Sequence, residues 1–116
     1  MFNRTEHAVP ETTILLCLCT CPDAASAQRL AETLVGERLA ACVNRLPGVL
    51  STYRWQDKVQ TDGEELLLIK TTAERFEALK ARVLTLHPYE LPELIALPVE
   101  RGHATYLDWV RTHSID

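Results

Sequence analysis

The segment Ile14-Leu15-Leu16-Cys17-Leu18-Cys19 is a continuous apolar run that ends at Thr20-Cys21-Pro22. A strand with one face in solvent alternates apolar and polar residues, whereas this run has no polar position. We therefore predict a strand that is buried on both faces rather than on one.

The residues after this strand predict a helix and a long hairpin. Asp23 is placed to cap a helix, because apolar residues recur behind it at helical spacing. Leu39–Trp55 is predicted to be a long strand bent at Pro47-Gly48. Asp62-Gly63 is a favoured hairpin pair, and Glu64–Lys70 then forms the returning strand.

The remaining chain predicts a second helix, a last strand and a terminal helix. Thr71 and Glu74 have the spacing of a capping box. Leu94–Val99 is the last strand, Pro98 suggests that it lies at an edge, and Ala104–Arg111 forms the terminal helix. One face of the second helix is apolar and carries Phe76, Leu79, Val83 and Leu86.

This order, βαββαβ plus a C-terminal helix, predicts an α+β fold with the ferredoxin-like split βαβ arrangement and an antiparallel sheet. We expect residues 1–12 to be a flexible tail and residues 13–116 to form a single domain. Both main helices then cover one face of the sheet. The other face is also apolar, so we predict that another copy of the protein covers it.

Composition limits the class of protein. The 116 residues are 47% hydrophobic and 24% charged, with a formal charge of −4, which argues against a nucleic-acid partner. The longest apolar runs are far shorter than a membrane span, so we expect no membrane partner and a cytoplasmic location. In that compartment the four cysteines are reduced thiols.

The segment His87-Pro88-Tyr89-Glu90-Leu91-Pro92-Glu93 gathers an imidazole, a phenol and carboxylates between two prolines. Each proline excludes helix from the residue before it, so the segment is a shaped and mostly extended connection. Two interpretations remain open at this point, a helix stop that leads into a strand and a functional loop.

The cysteines Cys17, Cys19 and Cys21 alternate along the first strand. Residues two apart in a strand are roughly 6.6 Å from each other, which is too far for thiolates that share one zinc ion unless the strand ends first. Cys17 and Cys42 are predicted to be small buried residues. Cys19 and Cys21 approach the strand end, so burial and ligation both remain open for them.

His87 with a cysteine thiolate suits Cu(I) or Zn(II), and Glu90 could complete a set for Cu(II) or Zn(II). The alternative is a histidine that orders its loop through hydrogen bonds.

Three parts of the sequence together resemble the CutA divalent-cation tolerance family. They are Leu18–Asp23, the stretch from Leu39–Asn44 through Pro47-Gly48 to Tyr53-Arg54-Trp55, and His87–Glu93. The resemblance implies a homotrimer and a role in tolerance of copper and other divalent ions. It also implies that Cys19 and His87 are the copper ligands, with Cu(II) or Cu(I) as the ion and zinc or another divalent cation as a further candidate.

Three positions depart from the family pattern. Leu86 stands where some members have a second histidine before the His-Pro-Tyr segment. Asp57 stands where a turn usually has glycine, although Lys58 is present. His103 begins the terminal helix, where an acidic or hydroxylic cap is more usual.

A second hypothesis follows from a similarity in fold order to the PII signalling trimers, which bind ligands in clefts between subunits. Packing between subunits is the alternative role for Tyr53 and Trp55. The residues that we would place in such a cleft are Tyr53, Trp55, Lys58, His87, Tyr89 and Glu90. No catalytic motif such as G-x-S-x-G or H-E-x-x-H occurs in the sequence, so we predict that the protein is not an enzyme.

Overall fold

The computed structural model describes residues 9–115, so residues 1–8 of the predicted tail lie outside the described part of the chain. The elements are β1 (Ile14–Cys21), α1 (Ala24–Gly36), β2 (Cys42–Trp55), β3 (Lys58–Thr72), α2 (Phe76–Leu86), β4 (Ile95–Pro98) and α3 (Ala104–Thr112). This confirms the predicted α+β order. Within residues 9–115, no helix is long and apolar enough to cross a membrane.

The four strands form one antiparallel sheet in the order β2-β3-β1-β4. Strand β1 is an inner strand, with Leu18 opposite Leu68 of β3 on one side and Ile95 of β4 on the other. Pro98 lies in the edge strand β4, opposite Leu15. That position fits a residue that has no backbone N–H to donate to a further strand.

Asp23 caps α1 as predicted. Its Oδ1 atom accepts a hydrogen bond of 2.8 Å from the backbone N–H of Ser26, which has no partner inside the helix. Only Pro22 and Asp23 separate the end of β1 from the start of α1.

Both main helices pack on the same face of the sheet, as the split βαβ arrangement predicts. Leu30 and Leu34 of α1 and Leu79 and Val83 of α2 are buried there. The strand residues in the same core are Cys17, Cys19, Cys21, Leu67 and Ile69. The half-buried Phe76 and Leu86 of α2 pack against this core, which confirms the predicted apolar face of that helix.

The predicted hairpin turn at Asp62-Gly63 is wrong. The chain reverses at Gln56 and Asp57, which have φ angles of 49° and 64°, and β3 already begins at Lys58. Asp62-Gly63 lies within β3 opposite Leu50 and Ser51. The two strands pair continuously from Val49 to the turn, so the cross-strand register outweighs the local preference of an Asp-Gly pair.

The predicted bend at Pro47-Gly48 is confirmed. The pairing of β2 with β3 shifts register between Leu46 and Val49, and Gly48 has a φ angle of 79°. Glycine adopts this conformation without the steric cost that a side chain would add.

The predicted capping box is wrong. Thr71 still belongs to β3, is fully buried, and donates its hydroxyl to the carbonyl oxygen of Leu39 at 2.6 Å. Helix α2 begins only at Phe76, and its preceding residue Arg75 makes no side-chain capping bond. The hydroxyl of Thr71 therefore links β3 to the segment between α1 and β2.

The second face of the sheet is apolar and only partly covered. Leu18, Leu66 and Leu68 are half-buried there, whereas Ile95 and Leu97 of the edge strand are exposed. The terminal helix α3 packs through Val110 against Ile14 and Ala41. The remaining apolar surface of this face, centred on Leu18 and Leu68, is open in the single chain.

Candidate metal centre

The candidate site lies where β1 ends. Cys17, Cys19 and Cys21 point to the face that the helices cover, and each side chain is fully buried. Thr20, between the last two cysteines, points to the opposite face. The end of β1 therefore presents two adjacent thiols to the protein interior.

His87 lies next to the end of β1. It is the first residue after α2, it is buried, and its extended backbone begins the proline segment, by which we mean residues 87–93. Its Nε2 atom lies 2.7 Å from the carbonyl oxygen of Thr20, and its Nδ1 atom lies 3.1 Å from the backbone nitrogen of Tyr89.

These two contacts determine the tautomer of His87. A carbonyl oxygen can only accept, so Nε2 carries the proton and donates it to Thr20. The backbone N–H of Tyr89 can only donate, so Nδ1 accepts. The imidazole is therefore neutral and orders the proline segment, which is the loop-ordering role that the sequence left open.

The same imidazole lies beside the two thiols. The Sγ atoms of Cys19 and Cys21 and a ring nitrogen of His87 all lie within 4.8 Å of one another, and Nε2 is 3.8 Å from Sγ of Cys21. We call these three residues the thiol–imidazole cluster. Two sulfurs and one nitrogen form a donor set that suits copper and zinc ions.

The two thiols of the cluster influence each other. The interaction between the two thiols raises the pKa of Cys19 and lowers the pKa of Cys21. Burial raises the pKa of Cys19 further. Of the two thiols, Cys21 therefore loses its proton more readily than Cys19.

The other two cysteines lie outside the cluster. Burial raises the pKa of Cys17 to about 12, so this thiol behaves as the small buried residue that the sequence predicts. Cys42 is only half-buried, which corrects the prediction for it. It is the first residue of β2, and Lys70 lies beside it on the partly open second face.

The predicted ligand Glu90 does not join the cluster. Its side chain lines a neighbouring cleft of about 710 Å³, which also contains Tyr53, Trp55 and Tyr89 of the predicted ligand cleft. Lys58 is not among the described residues that line the cleft, because it lies beyond Trp55 at the start of β3. Thr20 forms part of the cleft wall and so connects it to the cluster.

Two tyrosines of the cleft are held by carboxylates. The Tyr89 hydroxyl donates to Glu64 at 2.8 Å, and burial together with this bond raises the pKa of Tyr89. The Tyr53 hydroxyl donates to Asp62, and that bond raises the pKa of Tyr53. The Tyr89 ring also packs against His87, with 4.9 Å between the ring centroids.

Sequence reasoning did not assign Cys21 to the candidate ligands, although it left the role of this residue open. Strand spacing alone places Cys19 and Cys21 too far apart, because it describes backbone positions and not the directions of the side chains. The available signal was Pro22-Asp23, which stops the strand and starts α1 directly after Cys21.

The fold and the cluster define the class of protein: a ferredoxin-like α+β protein with a buried thiol–imidazole cluster at the end of its first strand. The family model described as CutA1 divalent ion tolerance protein matches residues 15–113. The chain therefore belongs to the CutA1 divalent ion tolerance family.

Similar proteins carry the same family name. A divalent-cation tolerance protein CutA from Thermus thermophilus is 53% identical over 97 residues, which are 84% of this chain and 94% of the relative. The CutA protein of Yersinia pestis is 44% identical over 104 residues, which are 90% of this chain and 87% of the relative. A crystal structure of CutA from Xylella fastidiosa has a TM-score of 0.87 at 50% identity and matches 89% of this chain and 99% of that one.

Proposed function

We propose that this protein contributes to divalent-cation tolerance by binding a metal ion, with copper as the first candidate, and that it does so without catalysing a reaction. One observation carries the proposal. The fold brings the Cys19 sulfur and the His87 imidazole into one buried cluster, although they are far apart in the sequence. The family description, divalent ion tolerance, agrees with such a role.

The donor atoms support copper or zinc more than hard cations. Soft thiolates and borderline imidazoles favour Cu(I) and Zn(II), and imidazole also suits Cu(II). Glu90 lies on the cleft side and outside the cluster, so we leave it out of the proposed set of ligands. The PII-like alternative is not favoured, because the relatives and the solved structure described above carry the CutA name.

A calorimetric titration of metal-free protein with Cu(II), Cu(I) and Zn(II) tests the proposal. We expect one ion per chain with a Kd below about 1 μM. Cys19→Ser and His87→Ala should lose this binding. Cys42→Ser and His103→Ala should keep it, because both residues lie outside the cluster. Weak binding that is the same in all five proteins would refute the proposal.

We also propose that the protein assembles as a homotrimer. The support is the open apolar surface of the second sheet face, where Leu97 is 49% exposed and Ile95 is 52% exposed. Leu50, on the β2–β3 hairpin, is 75% exposed. A contiguous apolar surface on a sheet face marks a site where a partner binds. Sedimentation equilibrium should give three times the chain mass of 13.1 kDa, and a monomer would refute the assembly.

We place the protein in the cytoplasm, because the described cysteines are free and metal binding by the cluster requires reduced thiols. Cell fractionation with a thiol-trapping reagent tests this location. Recovery in an oxidising compartment with blocked thiols would contradict it.

A further inference from the structure

We infer that Cys21 is a third ligand and that the cluster takes a thiophilic divalent ion of the zinc or cadmium type. The inference rests on the proposed function, which needs only Cys19 and His87. It adds a residue to the site and names the class of ion that this residue selects.

Geometry supports three ligands. A tetrahedral zinc ion with bonds of about 2.3 Å to sulfur and about 2.0 Å to nitrogen holds these atoms roughly 3.6 Å apart. The distance from Cys21 Sγ to His87 Nε2 is 3.8 Å, close to that separation. The ligand atoms of the cluster all lie within 4.8 Å of one another. A change of side-chain rotamer that moves the Cys19 sulfur by about 1 Å therefore brings it to the same ion.

Charge balance supports a divalent ion. A bound thiol is deprotonated, so Cys19 and Cys21 contribute two negative charges while the His87 imidazole is neutral. A divalent ion makes the sum zero, whereas Cu(I) leaves one negative charge. All three side chains are buried, and a buried net charge is costly. The cluster therefore favours the divalent ion.

The same atoms exclude hard cations. Calcium and magnesium require six or more oxygen ligands, often including carboxylates. Among residues 9–115, the oxygen that bonds to the cluster is the carbonyl of Thr20, which already accepts from His87. An ion that depends on oxygen donors would therefore lack most of its coordination shell here.

A cadmium titration under reducing conditions tests the role of Cys21. The parent should bind one Cd(II) per chain with the ultraviolet charge-transfer absorption of two thiolates. Cys21→Ala and Cys19→Ala should each retain about half of that absorption and bind ~100-fold more weakly. Cys17→Ala is the matched control, since Cys17 is buried on the same strand face but lies outside the cluster.

The outcomes separate this inference from the proposed function. If Cys21→Ala keeps the full absorption and affinity while Cys19→Ala and His87→Ala lose them, Cys21 is not a ligand and the proposed function stands. A parent that binds Cu(I) but neither Zn(II) nor Cd(II) overturns the inferred class of ion. A parent that binds none of these ions overturns both proposals. Circular dichroism of each metal-free variant verifies that it is folded.

The hydrogen bonds of His87 carry a second inference. Nε2 donates to Thr20 and Nδ1 accepts from Tyr89, so neither nitrogen has a free lone pair for an ion. We propose that metal binding through Nε2 moves the proton to Nδ1. The backbone N–H of Tyr89 and the new N–H at Nδ1 of His87 are then both donors, and their nitrogens are 3.1 Å apart. Because two donors repel each other at this distance, the proline segment has to shift.

This shift would reach the cleft through Tyr89. Its ring packs against His87 and its hydroxyl is bonded to Glu64 of β3. A displaced Tyr89 backbone strains that bond across the cleft. The bond between Tyr89 and Glu64 therefore belongs to the metal-free state and opposes metal binding.

Removing this bond should tighten metal binding. We expect Tyr89→Phe to bind Cd(II) about 3- to 10-fold more tightly than the parent, which corresponds to the loss of one ordinary hydrogen bond. Tyr53→Phe is the matched control, because its hydroxyl bonds to Asp62 instead. Equal affinities for Tyr89→Phe and the parent, or a weaker affinity for Tyr89→Phe, would overturn the coupling without affecting the assignment of the ligands.

Discussion

The Nε2 atom of His87 donates a hydrogen bond of 2.7 Å to the carbonyl oxygen of Thr20, 67 residues earlier in the chain. This bond joins the end of the first strand to the residue that follows the second helix. It also holds the imidazole beside Cys21. One buried contact therefore positions the proline segment and completes the thiol–imidazole cluster.

Loss of this bond should destabilise the metal-free protein. His87→Ala leaves the buried carbonyl of Thr20 without its partner, which costs about 1–3 kcal/mol. Chemical unfolding of metal-free protein at one fixed concentration measures the difference. His103→Ala is the control, because His103 is exposed and makes no capping bond. Equal stability of His87→Ala and the parent would contradict the structural role of the bond.

The cap of α1 should make stability depend on pH. The Ser26 N–H lowers the pKa of Asp23 below its ordinary value of about 3.9. The folded state then binds this proton less readily than the unfolded state does. The stabilisation is complete above the ordinary pKa and is lost as the pH falls through the lowered pKa.

We therefore expect Asp23→Ala to lower the Tm at pH 7, with a difference from the parent that shrinks below pH ~4. Asp23→Asn should keep most of the cap without the pH dependence. Thermal unfolding between pH 2 and pH 7 tests this. A difference in Tm between Asp23→Ala and the parent that grows as the pH falls would contradict this linkage.

The hairpin turn offers a stabilising substitution. Asp57 has a φ angle of 64°, a left-handed conformation that glycine adopts more readily. Asp57→Gly should raise the free energy of unfolding by about 1 kcal/mol, whereas Asp57→Val should lower it. Urea unfolding of both variants measures these changes. If Asp57→Val were as stable as Asp57→Gly, the turn would not impose this backbone conformation.

The proposed assembly should depend on the open sheet face. Leu97→Glu places a charge on β4, and we expect it to sediment as a smaller species with unchanged secondary structure. Leu84→Glu is the control, because Leu84 is also exposed but lies on α2 at the other side of the sheet. Retention of the parent mass by Leu97→Glu would show that the face is not an interface.

Most of the fold could be predicted from periodicity. Three local patterns predicted elements that the fold contains: the apolar run of β1, the helical spacing behind Asp23 and the break at Pro47-Gly48. The two errors, at Asp62-Gly63 and Thr71, have one cause. Long-range pairing extends β3 across both positions, and local turn and capping preferences cannot indicate how far a strand will pair.

The candidate site was less predictable. Cys19 and His87 follow from residue chemistry and from family resemblance, but the third member, Cys21, depends on side-chain directions at a strand end. The tautomer of His87 depends on the carbonyl of Thr20 and the N–H of Tyr89, and these are backbone groups that exist with this geometry only in the folded chain. The sequence of side chains does not indicate which backbone groups will become hydrogen-bond partners.

The position of the cluster has a consequence for the unfolded chain. An ion shared by Cys21 and His87 would join residues that are 66 positions apart. Such a cross-link removes entropy from the unfolded state, and the effect grows with the length of the closed loop. A loaded protein would then resist unfolding as a disulfide-linked protein does, and it would lose that resistance whenever a chelator or a stronger thiol takes the ion.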